Sequence, residues 1–214
     1  TAATAAQATA INAILTAATG FAYAANKVTV NVTDTASNIA NYYVEATAGY
    51  DFDAVTSSGN STAAEAIAAY ALNATAADSV IDTAANLVTN KSEAALDHAS
   101  SISASDAATV DQISQVNAAS DVDVSSGYAL TDTLAHLTAG GAATIVAGAG
   151  NVIVSDATLS VANAMIAETL TNTGTTRYVV EDAIGTLLAA NSDVVASTTT
   201  VSTSTAAITA SQAN

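Results

Sequence analysis

Short runs of alternating apolar and polar residues recur along the chain, and an aspartate closes each one. Two and four positions before Asp34 stand Val32 and Val30. The matching pairs are Val80 and Asp78 before Asp82, Ala104 and Ile102 before Asp106, and Leu130 and Tyr128 before Asp132. Val154 and Val152 precede Asp156, and Val180 and Tyr178 precede Asp182. Alternation with period two over about five residues predicts a short strand with one buried face. Asp78 is the polar exception at an inward position.

Beyond the aspartate the spacing changes. Apolar residues follow two and five positions on, at Ala36 and Ile39, Ala84 and Leu87, Leu134 and Leu137, and Ile184 and Leu187. Val110, Ile113 and Val116 also keep helical spacing. A switch from period two to about 3.6 predicts strand, then helix. Asp34, Asp82, Asp106, Asp132, Asp156 and Asp182 stand where an N-cap belongs. There a carboxylate accepts hydrogen bonds from first-turn amides and faces the positive end of the helix, worth about 1 kcal/mol each.

The phrase is periodic. From Asp82 the aspartates are spaced 24, 26, 24 and 26 residues apart, a unit of about 25 paired into one of about 50. The opening "TAATAAQATAINA" lines up with "DAATVDQISQVNA", which sets Thr1 at the Asp106 position and Gln7 at Gln112. An insertion lies between Phe21 and Lys27, and the last half is shortened, with Thr198 where an aspartate is expected. The predicted organisation is one array: 1–27 a partial repeat, 28–77, 78–127 and 128–177 repeats, and 178–214 a shortened terminal repeat. Helices of two or three turns are marginal alone, so each unit must bury its apolar side against the next. Parallel strands need crossovers. The expected fold is α/β, a solenoid of short parallel strands and short helices.

Composition sharpens this. Half the residues are hydrophobic but only 4% are aromatic, so the core must be thin. Three Lys and Arg against 19 Asp and Glu give a formal charge of −16. That excludes the basic footprint of a nucleic-acid reader and repels anionic lipid. Leu137 to Val154 carries no charge, but it holds four glycines and the period crosses it, so a repeat is expected there and not a transmembrane segment. The chain has no initiator Met and no signal-peptide pattern, and it starts in mid-repeat, as expected of a processed product or a piece of something longer.

Candidate chemistry is sparse. The chain has no Cys, and its two histidines are His98 and His136. No nucleophile-elbow motif accompanies the many Ser and Asp residues, so no catalytic residue and no cofactor site is expected. Calcium is the possible cofactor: Asp51 with Asp53, and Asp121 with Asp123, put paired carboxylates on one face of an extended segment. The plainer reading of each pair is a solvated loop, since the nonapeptide and EF-hand patterns are absent. Asn31, Asn60, Asn73 and Asn90 open Asn-x-Ser/Thr triplets, which chance also supplies in such a composition. Three positions before each aspartate, Asn31, Ser79 and Ser103 are polar whereas Ala129, Ile153 and Val179 are apolar. A solvated sheet face should stay polar, so Ala129, Ile153 and Val179 are expected to form a self-association face. Their irregularity argues against a uniform threonine lattice of the ice-binding kind.

The stretches "VIDTAANLVTN", "YALTDTLAHL" and "SASDAATVDQI" resemble the D-T-A-A-N-L and D-A-A-T-V-x-Q repeats of very large cell-surface proteins of cyanobacteria and proteobacteria. The resemblance covers roughly Val28 to Val195 and the first 14 residues. It implies an extracellular or cell-surface bacterial protein, an adhesin, surface-layer or filament component, and supplies no catalytic residues. The expected function is a non-enzymatic building block that assembles with itself, as a homo-oligomer or filament, by stacking of repeats. The alternative is a calcium-dependent adhesin module that recognises a glycan or a neighbouring cell.

Overall fold

A computed structural model describes residues 2–17, 31–42, 54–72, 74–76, 78–190, 192, 194 and 198–204. In chain order the elements are α1 (Ala5–Ala17), β1 (Asn31–Asp34), α2 (Ala36–Tyr42), β2 (Ala54–Ser57), β3 (Asn60–Ser61), α3 (Ala63–Tyr70) and β4 (Ala74–Ala76). Then come β5 (Ser79–Asp82), α4 (Ala84–Thr89), α5 (Ala94–Asp97), β6 (Ser101–Ala104) and α6 (Val110–Ala119). The rest are β7 (Ala129–Asp132), α7 (Leu134–Leu137), α8 (Ala142–Gly148), β8 (Asn151–Val154), α9 (Val161–Ala167), β9 (Thr176–Asp182), α10 (Ile184–Leu188) and β10 (Thr198–Thr203). The protein is α/β, as expected, and every strand pairing among the described residues is parallel.

The chain divides into two compact units, Thr1–Ser105 with Gln115–Val124, and Asp106–Ser114 with Ser125–Asn214. The first holds two three-stranded sheets, β1-β2-β4 and β3-β5-β6, and the second holds the four-stranded sheet β10-β9-β8-β7. In each pairing the chain leaves one strand, runs through helix, and returns alongside. Val80 pairs with Ile102 and Leu130 with Val152.

Inward positions behave as the alternation predicts. Val32, Val80, Ile102, Leu130, Val152 and Val180 are all buried. Small residues close the space between strand and helix: in the first unit Ala5, Ala8, Ala36 and Ala69 pack with Val32, Ile39 and Val55, and Leu72 lies against them. Burying one Val or Ile stabilises by roughly 1.5–3 kcal/mol, so a thin core of many such contacts suffices. The uncharged stretch after Leu137 is broken into α7, α8 and β8. No helix of the described residues is long and apolar enough to cross a membrane.

The two halves of the 50-residue unit differ in a way the period alone hides. β5 and β7 end on their aspartates, and α4 and α7 begin two residues later. β6 and β8 end two residues before Asp106 and Asp156, and α6 and α9 begin four and five residues after them. The alternation of 24 and 26 residues records these two ways of turning from strand to helix. At the C-terminal edge, Thr198 pairs with Tyr178 and Thr203 with Asp182. Thr198 therefore lies beside the inward tyrosine of β9 and not at its aspartate end.

Consecutive segments of the second unit approach very closely just before their strands. A Cβ on Gly150 would lie 2.8 Å from the Gly127 carbonyl oxygen, and one on Gly174 would lie 2.2 Å from that of Gly150. Only a residue without a side chain fits.

Candidate functional site

The six aspartates were expected to cap the helices that follow them. Four are displaced from that role by one residue. The N-caps of α4 and α7 are Thr83 and Thr133, whose hydroxyls accept the amides of Asn86 and His136. Thr35 accepts the Asn38 amide in the same way at the start of α2, and the N-cap of α10 is Ala183. Asp34, Asp82, Asp132 and Asp182 are the last residues of their strands, so the chain turns into helix only at the next residue. Asp106 and Asp156 lie further still from the helices that follow, and Ser160 caps α9.

The carboxylates do something else. One oxygen of Asp82 accepts the Thr83 amide and the Asn86 side-chain amide, both at 2.8 Å. The other accepts the backbone N–H of Ala63 at 3.0 Å. Ala63 is the first residue of α3, in the preceding segment. The pattern repeats. The Ala5 amide, first in α1, donates to Asp34 at 3.1 Å, and Val110, first in α6, donates to Asp132 at 3.0 Å. Leu134, first in α7, donates to Asp156 at 2.7 Å, and Val161, first in α9, donates to Asp182 at 3.1 Å. The first four amides of a helix have no partner within it. Each of these helices has its first amide satisfied by the aspartate of the next segment, a charge-assisted bond between neighbours.

The threonine and serine caps were missed by sequence reasoning, although their signal was present. Thr4-x-x-Gln7, Thr62-x-x-Glu65 and Thr109-x-x-Gln112 are capping boxes. In each, the hydroxyl accepts the amide three residues on, and that residue's side chain accepts the cap's own amide. This reciprocal pair is why Gln7 and Gln112 fall at the same place in the repeat.

Hydrogen bonding sets the ionisation of Asp34, Asp82 and Asp182 in this row. Burial opposes the charge of Asp34, but bonds from Asn38 and from the Thr35 and Ala5 amides outweigh it and hold the carboxyl below its usual range. Asp82 is lowered by the same balance, with Asn86, Thr83 and Ala63 as donors. The amides of Val161 and Ala183 lower Asp182, and the Thr62 amide lowers Glu65.

The remaining candidates are dispersed. Asp51 and Asp53 lie outside the described residues. Asp121 and Asp123 are both exposed, and the Asp121 amide donates to the Asp97 carboxylate at 3.1 Å. Among the described residues no three His, Asp or Glu side chains are grouped to hold a metal ion. His98 is the C-cap of α5, with Nδ1 donating to the Ala94 carbonyl and its ring 5.2 Å from that of Tyr70. Ala129, Ile153 and Val179 do not line up. Ala129 pairs with Asn151, Ile153 lies between Thr131 and Arg177, and Val179 pairs with Thr200. The two-residue difference between the halves shifts "three before the aspartate" to a different row in alternate strands. Ile153 is 46% exposed, while Ala129 and Val179 are half-buried.

Asp78, the polar exception of the alternation, is fully buried. It occupies the place that Tyr128 and Tyr178 hold in later repeats, and its carboxylate accepts the hydroxyls of Ser57, at 2.5 Å, and of Ser61. Both tyrosines also reach partners, Tyr128 the Ile145 carbonyl at 2.6 Å and Tyr178 the Glu168 carboxylate at 2.5 Å.

The chain matches no family model, no curated protein and no solved structure.

Proposed function

We propose that this chain is a non-enzymatic building block of a bacterial extracellular filament, surface layer or adhesin stalk, built as an α/β solenoid that assembles by stacking of repeats. The observation that carries the reading is the aspartate bond, made five times, from one segment back to the first amide of a helix in the segment before it. Such a bond lets any segment of the right pattern dock on the one before it. Stability in a stack is then a sum of nearest-neighbour terms. A second copy that presents a free helix start and an open strand edge is a suitable partner for the same chemistry.

The composition favours the same role. A surface of −16 with three cationic residues remains soluble outside a packed assembly. The resemblance of the repeats to those of very large cell-surface proteins supports the extracellular setting.

Light scattering across micromolar concentrations, followed by negative-stain electron microscopy, tests the proposal. Growth in mass with concentration and regular fibres are expected. A stable monomer with no tendency to associate overturns it.

A further inference from the structure

A cleft of about 440 Å³ opens in the second unit. Its walls include Asp111 and Ser114 of α6, His136 of α7, the Gly140–Gly141 turn and Ile145 of α8. Asp111 and Ser114 are three residues apart on one helix and so share a face. The volume falls within the range of small-molecule sites.

The slot that His136 fills gives the cleft its chemistry. Four residues after the strand-ending aspartate stand Asn38 and Asn86 in other segments, and each donates its side-chain amide to that aspartate at 2.8 Å. His136 does the same work through Nδ1, 2.7 Å from Asp132. The imidazole is 68% exposed and the Asp132 side chain only 7%. An ionised carboxylate accepts only, so Nδ1 carries the proton, and in the neutral ring Nε2 presents a lone pair. The buried aspartate thus fixes the ring and leaves its outer nitrogen as an oriented acceptor.

The other residues lining the cleft add a specific inventory. The Asp111 carboxylate is an acceptor with about four lone-pair sites. The Ser114 hydroxyl donates or accepts. At Gly140 and Gly141 nothing lies within 4 Å of where a Cβ would stand, so backbone faces open space there. Ile145 supplies an apolar wall. A fitting ligand brings several closely spaced hydroxyl donors, one small apolar face and no negative charge, given the −16 of the chain. Those are the features of a neutral sugar residue.

We propose that this cleft is a binding site for a neutral sugar residue, with His136 Nε2 and the Asp111 carboxylate accepting ligand hydroxyls and Ser114 completing the polar set. The site stands on its own geometry and does not depend on stacking of repeats. Without an aromatic platform its affinity is millimolar for a single sugar, and many copies along an assembly raise it through avidity.

Backbone and imidazole NMR resonances are followed while glucose, galactose, mannose and N-acetylglucosamine are added singly to roughly 50 mM, well above a millimolar Kd. Saturable shifts at Asp111, His136 and Ile145 with at least one sugar are expected. His136→Asn keeps the bond to Asp132 that Asn86 makes to Asp82, so its melting temperature stays at the wild-type value. Its sugar affinity falls by about tenfold, the loss of one hydrogen bond to the ligand. Absence of saturable shifts with all four sugars overturns the proposal. So do shifts that persist unchanged in both His136→Asn and Asp111→Asn. Micromolar zinc moving the same resonances while no sugar does assigns the cleft to a cation instead.

Discussion

The side-chain Oδ2 of Asp82 accepts the backbone N–H of Ala63, 3.0 Å away and 19 residues earlier in the chain. Its other oxygen serves Thr83 and Asn86 in its own segment. One carboxylate therefore ties two consecutive strand–helix segments together. Asp82→Ala removes three bonds to a charged acceptor and leaves the first amide of α3 without its partner. The expected cost is about 2–4 kcal/mol, since a bond to a charged group contributes roughly 1.5–3 kcal/mol. Asp121→Ala, at an exposed bend, should change stability by less than about 0.5 kcal/mol. Urea unfolding of the two variants against wild type measures the difference, and equal midpoints would remove the aspartate row from the account of stability.

Acid should undo the same row. Asp34, Asp82 and Asp182 are held below the ordinary carboxylate range in the folded protein. Unfolded aspartate titrates near about 3.9. The folded state binds fewer protons at these groups, so their contribution is complete above that value and is lost as pH falls through the lower folded values. The melting temperature should be nearly flat from neutral pH to about pH 5 and fall steeply below about pH 4. An Asp34→Asn, Asp82→Asn, Asp182→Asn variant starts lower and shows a shallower acid slope. An unchanged slope in that variant would place the acid sensitivity elsewhere.

Gly174 and Gly185 should respond to alanine with opposite signs. A Cβ at Gly174 meets the Gly150 carbonyl oxygen at 2.2 Å and the Asn151 side-chain oxygen at 2.9 Å. Forcing backbone apart in a packed site costs about 1–3 kcal/mol. Gly185 lies inside α10 with nothing within 4 Å of its missing Cβ, and alanine there gains up to about 1 kcal/mol of helix propensity. Differential scanning calorimetry of both variants reads the two shifts directly.

The buried trio of Asp78, Ser57 and Ser61 is a matched set. Asp78→Ala strands two hydroxyls that are 1% and 5% exposed, at an expected cost of about 2–4 kcal/mol. Exchanging all three for apolar residues of similar size, Ser57→Ala and Ser61→Ala with Asp78→Leu, should recover most of that loss. A triple variant no more stable than Asp78→Ala would mean that the cavity, and not the unpaired hydroxyls, dominates.

Strands were the most legible part of the sequence, because alternation reports burial directly: Val32, Val80, Leu130 and Val180 face inward as the pattern requires. The positions of α2, α4, α6, α7 and α10 followed from the change of period, whereas α3, α5 and α8 carried no such signal. The aspartates were recognised as special but given the wrong partner. N-cap preference is a local rule, and it led to the helix that follows. The first amides of Ala63 and Val161 lie 19 and 21 residues before their aspartates, a distance that no local rule spans. Ala129, Ile153 and Val179 fall on a diagonal across β7, β8 and β9, and not in one row, for a related reason. Counting back from an aspartate assumes that all strands meet it alike, whereas β8 stops two residues short of Asp156 and β7 ends on Asp132. The place of His136 in a cleft wall was not legible, because the cleft depends on how α6, α7 and α8 are placed.

Every one of these aspartate bonds runs backwards along the chain, to a helix made earlier. A nascent chain emerging from the ribosome N-terminus first therefore presents each helix with its first amide still unpaired. That amide waits for a carboxylate 19 to 29 residues downstream to be synthesised. Completion of one segment is thus timed by translation of the next, which gives folding of the chain a built-in direction.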